Sequence, residues 1–369
     1  MNRIFIIAEI GPNHNGDLNI AKSMVRDLSK IGVDAVKFQL AIPENVYSKD
    51  AFKADYQKEN EASKSPLEMA QRHRLTFEEH MELKEWCDQN NIMYLCTAFD
   101  IDSLIYIDQK LNVPIFKISS GENLTKDLIE YIASQNKPIL LSTGMTSFEE
   151  IRLSISILTR NSDKNITVLH CVSNYPANDD EINLNTLREI QERYNCKIGY
   201  SDHSLGNEAS MAAVSLGATV IEKHVTFDKN AEGPDHKASS TINEFEALVH
   251  SIRRIEKMMG NKEKTFSEQE KKIRLMARKS IVSKVNIPKG TIIEESMICF
   301  KRPGNGIPSL NTNLVIGKKT KVDAAVPGHM KVNKAGPNAN LPPLNQVHIK
   351  HHQVFSNLVQ RKNARCAYE

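Results

Sequence analysis

The chain has 369 residues, too many for one small module, and its length allows either two domains or one large α/β barrel with an appendage. Hydrophobic residues make up 40% and charged residues 25%, an ordinary globular composition that excludes a disordered chain. Lys plus Arg (48) and Asp plus Glu (45) nearly balance at +3, which gives no support for a nucleic-acid partner, and no apolar run approaches the ~20 residues of a membrane span.

In chain order, short β-branched runs alternate with amphipathic stretches rich in Glu, Lys and Leu. Strands are predicted at 4–9, 35–40, 92–97, 115–119, 138–142, 166–171, 197–200 and 219–224. Helices are predicted at 18–31, 76–90, 103–111, 125–136, 147–158, 183–194, 208–216 and 242–258. The strands are near-continuous apolar runs, as expected where both faces are covered, and eight such units in residues 1–260 point to a (β/α)8 TIM barrel. Residues 41–75 break the pattern with many charges, Ser and Pro66, which fits a solvated surface excursion or a lid over the barrel mouth equally well. A charged linker is expected at 261–276 and a small β-rich domain at 277–323, with strands at 280–285 and 297–301. From 324 to 369 Pro, Asn, His and Lys dominate without a period, so a poorly ordered tail is expected. The six cysteines include no C-x-x-C pair and the N-terminus lacks a signal-peptide pattern, so we expect a reduced, cytoplasmic protein.

In a parallel barrel, catalytic groups gather where the strands end at their C-terminal edge. Here each strand delivers polar residues to that edge: Glu9, then Lys37 and Gln39, Thr97, Lys117 with Ser120 and Glu122, Ser142, Ser173 with Tyr175, Ser201 with His203, and Glu222 with His224. His203 and His224, at equivalent positions of successive units, can converge on one divalent metal while leaving open positions for a substrate oxygen. Lys37, Lys117, Ser120 and Ser142 offer cations and hydroxyls to a phosphate or carboxylate. Lys117 at a strand end also suits a Schiff-base aldolase. Trp86 with Phe77 and Leu83 is core at helical spacing, and the glycine turns are too sparse for a dinucleotide fingerprint.

The strings Ala8-Glu-Ile-Gly-Pro-Asn-His-Asn-Gly16, Val36-Lys-Phe-Gln39, Phe116-Lys-Ile-Ser-Ser-Gly-Glu122, Leu141-Ser-Thr-Gly-Met145, Gly199-Tyr-Ser-Asp-His203, Ile221-Glu-Lys-His224 and Gly233-Pro-Asp-His-Lys-Ala-Ser239 follow one another along the chain. In this order they resemble the N-acetylneuraminate (sialic acid) synthase family, which includes the legionaminate and pseudaminate synthases. Arg302-Pro-Gly-Asn-Gly-Ile307 resembles the family's C-terminal antifreeze-like (SAF) domain. The resemblance implies condensation of phosphoenolpyruvate with the open-chain aldehyde of a 2-acetamido sugar, giving a nine-carbon 2-keto acid and phosphate. It implies His203 and His224 as ligands of a divalent metal, Mn2+ first, with Mg2+ or Co2+ as alternatives. Lys37, Thr97, Lys117, Ser120 and Ser142 would contact phosphoenolpyruvate; Glu9, Gln39, Tyr175 and Asp235 would hold the sugar or its reacting end; Glu122 would handle protons. Arg302 would reach the sugar's N-acetyl group from a partner subunit, implying a domain-swapped homodimer. Ser173 departs from the Asn that some members carry there but keeps a hydrogen-bonding group, and after Lys321 the chain leaves the family pattern. The Asp235-His-Lys-Ala-Ser239 string resembles neuraminate and legionaminate synthases more than pseudaminate ones. Two other functions compete: the Schiff-base aldolase, and a catalytically silent sugar-binding protein.

Overall fold

Strands that are apolar on both faces need cover on both, and a closed barrel wrapped in helices supplies it. The computed structural model describes residues 3–160, 165–326 and 328–330. It divides into one unit ending at Asn261 and a second beginning at Lys262. In the first, β1 (Phe5–Glu9), β2 (Ala35–Leu40), β3 (Met93–Ala98), β4 (Phe116–Ile118), β5 (Ile139–Ser142), β6 (Ile166–Cys171), β7 (Lys197–Asp202) and β8 (Val220–Thr226) pair in sequence order, all parallel. β8 pairs back onto β1, from Phe5 opposite Val220 to Glu9 opposite His224, so the sheet closes as the periodicity predicts. A short β9 (Ser240–Thr241) adds to the end of β8.

Helix α1 (Leu18–Lys30) follows β1 and is capped by the Asp17 carboxylate. The stretch after β2 holds three short helices, α2 (Pro43–Val46), α3 (Asp55–Asn60) and α4 (Pro66–His73), which the sequence pattern does not reveal. Then come α5 (Phe77–Gln89), α6 (Ile101–Gln109), α7 (Lys126–Ser134), α8 (Phe148–Leu158), α9 (Thr186–Tyr194), α10 (Glu208–Ser215) and α11 (Ile242–Met259). Thr76 with Glu79, Ser147 with Glu150 and Thr241 with Glu244 form capping boxes that fix the starts of α5, α8 and α11. The predicted start of a helix at 183 moves to Thr186, because Asn183 takes the left-handed conformation (φ 49°) and ends the preceding turn. No helix among the described residues is long and apolar enough to cross a membrane.

Strand alternation then determines what fills the barrel. Ile7, Ala35, Leu95, Leu140, Leu169 and Val220, with Phe5, Met93 and Ile115 beside them, pack as an interior cluster separate from the core between strands and helices. Because side chains repeat every second residue, the next positions along the same strands face the same interior, one layer nearer the mouth. Those positions are Glu9, Lys37, Thr97, Lys117, Ser142, Cys171 and Glu222. The apolar layer is thus the floor on which a polar layer stands.

In the second unit, α12 (Glu268–Ala277) buries none of its residues, as expected of a solvated, charged segment. β10 (Ser280–Ser283) and β11 (Ile298–Lys301) pair antiparallel over a core of Ile281, Ile287, Ile293, Ile298, Ile307, Val315 and Met330. The chain expected to become a tail at 324 stays in this unit further: Ala324 exchanges backbone hydrogen bonds with Ile287, and Met330 donates to Ile281 and packs in the core. The rest of that segment, 331–369, lies outside the described residues.

If the apolar floor supports the barrel, Leu169→Ala should lower unfolding free energy by ~2–5 kcal/mol, the cost of a core cavity. Urea titration followed by circular dichroism measures it; a loss below ~1 kcal/mol would show that the floor is not tightly packed.

Candidate active site

Four acidic or basic side chains stand in the polar layer, none more than 6% exposed: Glu9, Lys37, Lys117 and Glu222. Lys37 Nζ lies 2.7 Å from Glu9 Oε2 and 3.8 Å from Glu222 Oε2, and Lys117 Nζ lies 3.6 Å from Glu222 Oε1. Neutral donors and acceptors complete the layer. Lys37 reaches Thr97 Oγ1 at 3.1 Å, Lys117 reaches Ser142 Oγ at 2.8 Å, Gln39 donates to Glu9 at 2.8 Å, and Ser201 Oγ donates to Glu222 at 2.9 Å. Two positive and two negative groups are thus buried in mutual reach, which offsets part of a desolvation penalty of several kcal/mol per ion.

Burial sets the acidities. It opposes the charge on Lys37, yet Glu222 and Glu9 beside it hold the ammonium above its ordinary pKa. For Lys117 burial wins and the pKa falls, with Lys37 adding to the fall against Glu222. Burial raises Glu9, whereas on Glu222 the two lysines overcome burial and keep the carboxylate below its ordinary value. Glu222 is therefore the fixed anion of the layer and Glu9 the carboxylate that takes up a proton more readily.

At the mouth, one alternation beyond Ser201 and Glu222, stand His203 and His224, with ring centroids 5.5 Å apart. Their backbone is fixed by a buried knot outside the barrel. Lys223 Nζ bonds Ser204 O at 2.6 Å and Asp202 Oδ2 at 3.0 Å, while Asp202 also accepts from Ser204 and Ser210. Burial pushes His203 down to about 4 and His224 well below its ordinary value, so both imidazoles are neutral at pH 7. His203 Nδ1 lies 2.6 Å from the Val172 carbonyl, an acceptor only, so Nδ1 carries the proton and Nε2 keeps its lone pair. His224 Nδ1 is buried without a hydrogen-bond partner, with Asp235 Oδ2 at 3.6 Å. Burial and the nearby Glu9 push Asp235 up to about 7. Two neutral imidazoles, one oriented by a carbonyl and one with an orphaned nitrogen, are a donor set that fits a divalent cation. No group of three or more His, Cys, Asp or Glu among the described residues forms a fuller set, so the remaining positions of such a cation would fall to water or substrate.

Two adjoining cavities open here. The inner one, of about 300 Å3, is lined by Glu9, Lys37, Gln39, Thr97, Lys117, Ser120, Ser142, Ser173, Tyr175, His203 and His224, all expected from the sequence, by Ser201 and Glu222, which the sequence places at the strand ends without a role, and by Tyr56, which it does not place there. Ser201 and Glu222 sit two residues before His203 and His224, so strand alternation already carried their signal. Tyr56 lies in the stretch without periodicity and had none. Gly144 closes one side: a Cβ there would meet Ser173 Oγ at 2.2 Å and both Cys171 Sγ and Ser120 Oγ at 2.9 Å, so only glycine admits these groups. Ser120 Oγ accepts from Gly144 N at 2.9 Å. The outer cavity, of about 260 Å3, shares Gln39, Tyr175 and His224 and adds Asp235. Its far wall is the 41–75 stretch, with Val46, Tyr47, Tyr56, Met69, Ala70 and His73, so that stretch is a wall of the mouth and not a detached surface excursion.

Two expected residues stand apart. Glu122 is on the loop after β4, outside the lining of both cavities; it accepts from Thr125 Oγ1 at 2.6 Å, and burial raises its pKa. Arg302 belongs to the second unit, where its Nε donates to Ala277 O at 2.7 Å.

Comparison with known proteins joins this geometry to a family. The NeuB family model matches residues 24–264 and the SAF domain model matches residues 278–324. N,N'-diacetyllegionaminic acid synthase of Campylobacter jejuni is 43% identical over 321 residues, covering 86% of this chain and 96% of its own length. N-acetylneuraminate-9-phosphate synthase of Homo sapiens is 33% identical, covering 86% of this chain and 89% of its own. The crystal structure of an N-acetylneuraminic acid synthetase from Leptospira borgpetersenii superposes with a TM-score of 0.67 at 33% identity, over 74% of this chain and 90% of that one.

If the four buried charges act as one balanced unit, Glu222→Gln should cost ~3–5 kcal/mol of stability by stranding a lysine. Adding Lys117→Met should restore at least half of that loss in urea titrations; purely additive losses would show that the charges are not coupled.

Proposed function

The chain belongs to the NeuB family, and we propose that it condenses phosphoenolpyruvate with an open-chain 2-acetamido sugar, giving a nonulosonic acid and inorganic phosphate. The observation that carries this reading is a balanced lysine–glutamate layer inside the barrel with two neutral histidines at its mouth. Phosphoenolpyruvate brings a phosphate and a carboxylate that repel each other. Lys37 and Lys117 would neutralise them, and Thr97, Ser120 and Ser142 would hydrogen-bond their oxygens.

His203 and His224 would hold the divalent cation, for which we propose Mn2+; when bound, it would act as a Lewis acid toward the sugar aldehyde. Gln39, Tyr175 and Asp235, shared with or lining the outer cavity, would orient the open-chain sugar so that its C1 faces C3 of the enol. C3 attacks C1, the new C–C bond forms, and the aldehyde oxygen takes a proton to become a hydroxyl. Water adds at C2, the C2–O bond to phosphorus breaks, and phosphate leaves with the 2-keto group formed behind it. Asp235 and Glu9, both raised by burial, would exchange protons with the aldehyde oxygen and the water. We assign Glu122 a proton-relay part from outside the cavity and Arg302 a contact with the N-acetyl group from the partner of a domain-swapped homodimer.

For the sugar, the relative acting in diacetyllegionaminic acid synthesis is the more similar, 43% against 33% identity. Val46, Met69, Ala70 and Phe99 give the outer cavity an apolar side suited to a second acetyl methyl and a 6-deoxy carbon. Both support a 2,4-diacetamido-6-deoxy sugar over N-acetylmannosamine.

One observation favours a second reading. The depressed pKa of Lys117 is what a Schiff-base aldolase needs. Reduction with borohydride in the presence of pyruvate separates the two: covalent label on Lys117 would establish the aldolase and refute the condensation.

Phosphate release should require phosphoenolpyruvate, the diacetamido sugar and Mn2+ together, stop with chelator and return with Mn2+. His203→Ala should retain the circular dichroism of the wild type and lose at least ~10³-fold in turnover, the scale expected when a Lewis acid is removed. Chelator-resistant turnover, or near-normal activity of the variant, would refute the assignment.

A further inference from the structure

We propose that Tyr56 is a positioning residue: the 41–75 wall carries its ring over the barrel mouth, where it presses Tyr175 against His203 and so sets both the sugar's approach and the geometry of a metal-binding imidazole. This rests on the reading of His203 and His224 as metal ligands and Tyr175 as a sugar contact.

The rings form a continuous series. Tyr56 and Tyr175 have centroids 5.1 Å apart at an interplanar angle of 31°, and Tyr175 and His203 lie 4.1 Å apart at 30°. Tyr175 also meets His224 edge-on at 5.6 Å. Tyr175 is therefore packed between the wall on one side and a histidine of the site on the other. Tyr56 lines both cavities, at the boundary where the sugar's reacting end must pass from one to the other.

A six-residue helix would not hold such a ring by itself, since a single short helix is marginal in water. α3 is tied at both ends. Before it, buried Lys53 reaches Glu61 O at 2.5 Å, Ser63 O at 2.9 Å and Glu61 Oε2 at 3.2 Å. After it, Glu61 accepts from Ser63 N at 2.8 Å, Ser63 Oγ at 2.7 Å and Arg72 at 3.1 Å. Arg72 continues to both oxygens of Glu232 at 2.9 and 3.2 Å, and Gly233 N donates to Asn60 O at 3.1 Å. The helix bearing Tyr56 is thus fastened to the loop after β8 that bears Asp235. Tyr56 and Asp235 reach the mouth as parts of one tied assembly.

Calorimetric Mn2+ titration of the substrate-free protein, with KM for each substrate, tests this. Tyr56→Leu should weaken Mn2+ binding and raise the sugar KM about threefold to tenfold each, with KM for phosphoenolpyruvate moved less than about twofold. Tyr56→Phe keeps the ring and should match the wild type. Glu61→Gln, which loosens the fastening and leaves the ring, should reproduce the leucine pattern and decides the matter if Tyr56→Leu fails to fold. Unchanged Mn2+ affinity and sugar KM in Tyr56→Leu and Glu61→Gln would overturn the proposal alone. A wild-type protein with no affinity for Mn2+ would overturn the proposed function and this inference with it.

Discussion

Two lysines and two glutamates buried inside a barrel form the constraint on which the rest of the site depends. A layer of Leu and Ile there, like the layer beneath, would avoid desolvating four ions at several kcal/mol each. The opposite charges offset one another, which lets the layer stay buried. Their spacings also leave Lys117 only 3.6 Å from Glu222, at a looser distance than the 2.7 Å contact of Lys37 with Glu9. An entering anion that takes Lys117 from Glu222 therefore exchanges a weak contact for a strong one. On the proposed reading the layer would act as a preorganised anion site, with its dipoles and charges oriented before the ligand arrives.

The same burial does different work at the mouth. Desolvation keeps His203 and His224 neutral, which is the protonation state a metal ligand needs, and raises Asp235 to where it can exchange protons near neutrality. One alternation along β7 and β8 separates the two proposed roles: Ser201 and Glu222 line the layer that would take the anion, and His203 and His224 the mouth that would hold the cation. The knot of Lys223, Asp202, Ser204 and Ser210 on the outer side of those strands stabilises both registers at once.

Much of this was legible because barrel chemistry is periodic. Eight apolar runs announced the strands, and their polar ends announced the mouth. Glu222 and Ser201 were legible as strand-end polar residues by the same rule, but the pairing of Glu222 with Lys37 and Lys117 was not, because cross-barrel partners on β2 and β4 cannot be seen in the sequence. Tyr56 was not readable at all. Its position depends on Lys53, Glu61, Arg72 and Glu232, contacts spanning up to 160 residues that no local period encodes. Met330, in a segment whose composition looks like tail, packs in the core of the small unit, a contact that no local pattern encodes.

The central claim is that the buried layer is the phosphoenolpyruvate site. The direct measurement is calorimetric titration of phosphoenolpyruvate, with Mn2+ present, into the wild type and Lys117→Met. Loss of a buried charge-assisted contact predicts an affinity at least ~100-fold weaker in the variant. An affinity within about twofold of the wild type would contradict the account.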